Sequence, residues 1–105
     1  MFNSYKADFW MILLTRKAEI AGLKEALKNG IVNGSSYEGR CSCLVGTIAN
    51  VAGCNYKSIP NLKPDAGRPA ERWFYMIKEG DTPETSDVVK LTMEWIEEFE
   101  MYLTT

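Results

Sequence analysis

The chain has 105 residues, 46% of them hydrophobic and 25% charged, with three Trp, five Tyr and four Phe. That length suits one domain spanning residues 1–105, and the apolar content is enough to offset chain entropy, which excludes a second core and wholesale disorder. The net charge of −2 is unevenly divided, with eleven Lys or Arg against seven acids in residues 1–80 and one Lys against seven acids in residues 81–105. The basic excess of the first part is too small and too scattered for counterion-driven binding, so no direct nucleic-acid binding is expected.

Asn3 or Ser4 can cap a helix that begins near Tyr5. The run Phe9-Trp10-Met11-Ile12-Leu13-Leu14 has six residues, against the roughly 20 that a membrane-spanning helix requires. The mixed charges before it, Lys6 with Asp8, and the lack of a small-residue cleavage pattern before Arg16-Lys17 argue against a signal peptide. A cytoplasmic protein with no membrane partner is expected. The run suits a helix, although its density also fits a short buried strand. From Arg16 to Lys28, Ala18, Ile20, Ala21, Leu23, Ala26 and Leu27 line a broad helical face, and Gly30 is the natural stop. One continuous helix from Tyr5 and a break near Thr15 both remain open.

Residues 30–39 hold three glycines, two serines and Asn33, the composition of a loop or a short β-hairpin. Cys41, Leu44, Val45, Ile48 and Val51 then share one side of a helix ending at Gly53. Pro60 and Pro64 disfavour helix before them and mark an ordered connector from Asn55 to Gly67. Arg68 to Ile77 reads as a helix with Pro69 in its first turn, with Trp73, Phe74 and Ile77 on its buried side and Gly80 at its end. Thr85 or Ser86 caps a last helix from about Asp87 to Tyr102. On that helix Val89, Met93, Ile96 and Leu103 form one stripe, with Val88, Thr92, Trp95, Phe99 and Tyr102 beside it, which implies contact on two sides. The expected fold is mainly α: a compact bundle of about four helices with a Gly/Ser-rich loop and a Pro-containing connector. The width of the last stripe also makes a homodimer through Val88, Trp95, Phe99 and Tyr102 an open expectation.

The chain has no histidine, and so lacks the commonest general base and transition-metal ligand. It has no Gly-rich phosphate loop and no nucleophile elbow, so no enzyme, catalytic residue or cofactor is expected. Cys41, Cys43 and Cys54 are an odd set that fits reduced thiols. With Glu38 they could hold zinc, but their spacing matches structural zinc sites poorly, and packed thiols are the plainer reading. A cysteine beside Arg40 at a helix start would have its thiolate favoured. Arg68 and Arg72, bracketing Glu71 and Trp73, could offer guanidinium forks to phosphate or carboxylate, with Trp73, Tyr75 or Tyr37 stacking on a nucleotide. The alternative places Trp73 in the core and pairs the arginines with Glu71, Asp65 or loop carbonyls. Glu94, Glu97, Glu98 and Glu100 form an acidic ridge on the last helix, which is either a solvated face or a docking surface for a basic cleft.

Three stretches stand in order: Gly34-Ser35-Ser36-Tyr37-Glu38-Gly39-Arg40-Cys41-Ser42-Cys43-Leu44-Val45-Gly46-Thr47, Arg68-Pro69-Ala70-Glu71-Arg72-Trp73-Phe74, and Gly80-Asp81-Thr82-Pro83. Their pattern resembles that of a family of small bacteriophage and prophage proteins, over about residues 30 to 100. The resemblance carries no activity, cofactor or catalytic residue, and an acidic residue often replaces Arg40 in that pattern. It implies an accessory binding protein in the host cytoplasm, of the anti-defence or anti-CRISPR type, that docks on a host bacterial protein. The binding residues expected are Tyr37, Arg68, Glu71, Arg72, Trp73, Glu94, Glu97 and Glu98. A nucleotide-sequestering protein and a thiol or metal protein are the alternatives.

Overall fold

The structure, a computed structural model, describes residues 3–35, 42–59, 62, 65 and 67–103. It is mainly α, with helices α1 (Asn3–Thr15), α2 (Ile20–Lys28), α3 (Leu44–Ala52), α4 (Pro69–Phe74) and α5 (Asp87–Leu103), and 3₁₀ turns at Lys17–Glu19 and Tyr56–Ser58. No described residue forms a strand, and no described helix is long and apolar enough to cross a membrane.

The apolar run Phe9 to Leu14 is helical, which settles the strand alternative. Phe9, Ile12 and Leu13 are buried, while Met11 and Leu14 point outward, the separation expected at 3.6 residues per turn. The helix breaks where Arg16 leaves the helical region, at φ −130° and ψ 45°. The Arg16 guanidinium donates to Glu19 across the following 3₁₀ turn, so the buried Glu19 carboxylate has a partner. Gly30 ends α2 with φ 70°, and the Ile31 amide donates to the Ala26 carbonyl at 3.1 Å. Gly53 ends α3 with φ 73°, and the Cys54 amide donates to Ala49 at 3.0 Å. Both are left-handed caps that pair carbonyls the helix leaves open.

Three expectations change. Val32 and Ser42 form an isolated parallel bridge, whereas a hairpin needs antiparallel neighbours; residues 36–41 lie outside the described set. Helix α3 starts at Leu44, with extended Cys43 before it, and Val51 is exposed. Helix α4 stops at Phe74, not Ile77. There the Met76 and Ile77 amides turn back to Trp73 and Phe74, and the Ile77 carbonyl accepts from Gly34 at 2.9 Å. That tertiary bond fixes the turn after α4 against residue 34. In the connector, Ile59 and Leu62 are buried; Pro60 and Pro64 are outside the described residues.

The core forms where α1 packs on α4 and both meet α5. Phe9 and Phe74 stand 5.4 Å apart, Tyr5 and Trp73 5.5 Å, and Trp73 and Trp95 4.7 Å, between ring centroids. The Trp73 indole donates to the Thr92 hydroxyl at 2.7 Å, and that hydroxyl donates to the Val88 carbonyl at 2.7 Å. The buried threonine is thereby satisfied. Trp10 covers the other flank of α5, donating to the Trp95 carbonyl at 3.1 Å and meeting Phe99 edge-on at 5.5 Å. Trp95 and Phe99 of the wide stripe on α5 are therefore buried within one chain, while Tyr102 and Leu103 at its end are exposed.

Candidate functional site

The charged residues separate into those that hold the fold and those left over. Neither α3 nor α4 has a capping side chain of its own, although the first amides of any helix need acceptors. Carboxylates from other helices supply them. Asp8 on α1 accepts from the Ala70 amide at 2.9 Å and takes both nitrogens of an Arg68 fork at 2.9 and 2.7 Å. Glu71 on α4 in turn accepts from the Leu44 amide at 3.1 Å, the Val45 amide at 3.3 Å and the Cys43 thiol at 3.3 Å. A relay of caps thus runs from α1 to α4 to α3.

This environment sets the protonation of its members. The Arg68 hydrogen bonds hold Asp8 below the usual carboxylate range, outweighing its partial burial. Burial pushes Glu71 up, against the Cys43, Val45 and Leu44 hydrogen bonds that favour its charged form. Burial, and then the Glu71 charge, pushes the Cys43 thiol up to about 12. That is the reverse of an activated cysteine, which needs a cation beside it.

The expected arginine and aromatic platform is consequently taken apart. Trp73 is 2% exposed and Glu71 4%, so neither reaches a ligand at the surface. Arg68 is engaged by Asp8, and Asp65, expected as its partner, instead accepts from the Gly67 amide. Of the platform's described residues, Arg72 and Tyr75 are exposed. Tyr37, Glu38, Arg40 and Cys41 lie outside the described residues. Cys43 and Cys54 sit at opposite ends of α3, separated by roughly 15 Å of helix at 1.5 Å per residue, too far to share one metal ion. Among the described residues no cluster of three metal-ligating side chains occurs.

The acidic ridge is also divided. Glu98 pairs with Lys6 at 2.6 Å and Glu100 with Lys24 at 2.8 Å, fastening α5 to α1 and α2. Among the described residues, none pairs with Glu94 or Glu97. These two glutamates, with Glu84, line an open groove of about 430 Å³ whose other walls are Lys28, Pro83, Lys90 and Met93. On the opposite chemistry, Arg72, Tyr75 and Met76 face outward from α4 and the turn after it, with Tyr75 68% and Met76 46% exposed. Tyr75 also borders a second groove of about 320 Å³ with Asn33, Ser35, Ile77, Lys78 and Glu79. Met76 was not among the sequence candidates.

The architecture defines a small helical bundle whose free chemistry lies on its surface. Comparison with known proteins returned no matching family model, no matching curated protein and no matching solved structure.

Proposed function

We propose that this chain acts by binding another protein, and that the groove along α5 is the docking site. The observation that carries the reading is the division of the glutamates. Glu98 and Glu100 are consumed by ion pairs, while Glu94 and Glu97 flank a recess beside Met93. A partner with lysines or arginines around a small apolar protrusion would fit it, because opposite charge at a rim steers encounter and apolar contact holds the complex. Together with the resemblance to phage proteins, this makes a host bacterial protein the partner, with defence nucleases as the first class to test.

The experiment is retention of a stoichiometric partner by tagged chain from reducing bacterial lysate, including cells expressing CRISPR nucleases. The double variant Glu94→Lys with Glu97→Lys should lose that partner while keeping its circular dichroism. Glu98→Lys is the wrong probe, since it also breaks the Lys6 pair. Retention of no protein, or equal retention by the double variant, overturns the reading.

A second face has support of its own, because Arg72, Tyr75 and Met76 belong to the residue types enriched at interface centres. Loss of the partner with Tyr75→Ala and Arg72→Glu, but not with the α5 variant, would move the docking site there.

A further inference from the structure

Helix α1 has two apolar sides, and the monomer covers one. Tyr5, Phe9, Ile12 and Leu13 turn inward, with α5 on one flank through Trp10 and α4 on the other through the Asp8–Arg68 pair. The outward line is Ser4, Ala7, Met11 and Leu14, all exposed, with Met11 at 64% and Leu14 at 56%. No charged residue lies on it, in a chain where a quarter of the residues are charged. Its spacing of three, four and three residues is that of a coiled-coil seam.

We propose that this line is the interface of a homodimer in which two α1 helices pack antiparallel about a two-fold axis near Phe9. The occupant follows from the order of side-chain sizes. The first half of the seam is small, Ser4 and Ala7; the second half is large, Met11 and Leu14. Antiparallel pairing about residue 9 sets Ser4 against Leu14 of the second copy and Ala7 against its Met11, so each large side chain meets a small one. A two-fold interface requires that self-complementarity, residue i meeting j while j meets i. Parallel pairing would set Leu14 on Leu14 and leave Ser4 against Ser4 as a void. Charge agrees with the same partner. Each copy brings its Asp8–Arg68 pair, already neutral, to the same edge beside the axis, so the two edges meet without repulsion.

One helix face covers less than the roughly 800 Å² per partner of a standard interface, so a concentration-dependent, reversible dimer is expected. Sedimentation equilibrium of the full chain should show a mass rising from 11.9 kDa toward twice that value with concentration. Met11→Glu with Leu14→Glu, both at exposed positions, should hold the mass at that of the monomer with unchanged circular dichroism. Mixing Ala7→Cys chains with Met11→Cys chains, each also carrying Cys54→Ser, should give disulfides joining position 7 of one copy to position 11 of the other. A monomer at every concentration, a dimer indifferent to the two glutamates, or disulfides joining like positions would overturn the proposal.

Discussion

Glu71 shows how one side chain changes meaning with its surroundings. On a helix beside two arginines it reads as part of a binding face; in the fold it is buried and accepts from two amides and a thiol. Replacing it with alanine leaves those donors without an acceptor, and an unsatisfied buried polar group is costly. Glu71→Ala should lower the free energy of urea unfolding by about 3 kcal/mol, and Glu71→Gln, which keeps one oxygen, by about 1 kcal/mol. Alanine and wild-type chains of equal stability would remove the capping role. Cys43 gives an independent readout at the same site. With its thiol buried and pushed up to about 12, it should resist iodoacetamide at neutral pH while exposed Cys54 reacts, and Glu71→Ala should speed its alkylation through local opening.

At the level of elements, close approach of backbones decides what the helices can be. A Cβ on Gly34 would be driven into the carbonyl oxygen of Phe74, a backbone atom with nowhere to move. Gly34→Ala should therefore cost about 3 kcal/mol, the upper part of the range for overpacking, seen as a lower melting temperature. Gly22 is a softer case. A Cβ there would stand 2.5 Å from a methyl of Val51, whose exposed side chain has room to turn. A Gly34→Ala chain as stable as wild type would mean that the turn after α4 is not pinned by the approach of residue 34. The same turn ends α4 at Phe74.

For the whole molecule, the relay of caps makes stability depend on pH in two opposed ways. Asp8 has a folded-state pKa below its ordinary 3.8, so its contribution is complete above 3.8 and is lost as pH falls through the lower folded value. Glu71 has a folded-state pKa above its ordinary 4.5. In that window the folded chain binds more protons than the unfolded one, so stability falls as pH rises from 4.5 through the raised value. Thermal melts across pH 2–8 should show Asp8→Asn flattening the acid limb and Glu71→Gln flattening the fall above 4.5. If each variant merely shifts the whole curve without changing its slope in its own window, these two carboxylates do not govern the dependence.

Much of the fold was legible because it rests on local chemistry. The helix ends at Gly30 and Gly53, Pro69 in a first turn, and the apolar stripe of α5 follow from conformational preference and periodicity, which act over a few residues and are written in them. The parallel bridge from Val32 to Ser42, the early stop of α4 and the division of the glutamates are not written that way. Each depends on a partner far along the chain: Ser42 for Val32, Gly34 for Ile77, Lys6 and Lys24 for Glu98 and Glu100. The candidate site was legible only as a set of residue types for the same reason. Sequence determined that Arg68, Glu71, Arg72, Trp73 and the four glutamates exist at helical spacing. Tertiary structure decided that Trp73 and Glu71 go inside, that Arg68, Glu98 and Glu100 are spent on Asp8, Lys6 and Lys24, and that Arg72, Glu94 and Glu97 remain outside. A charge is free or engaged according to what folding brings within about 4 Å of it, and no spacing along one helix records that.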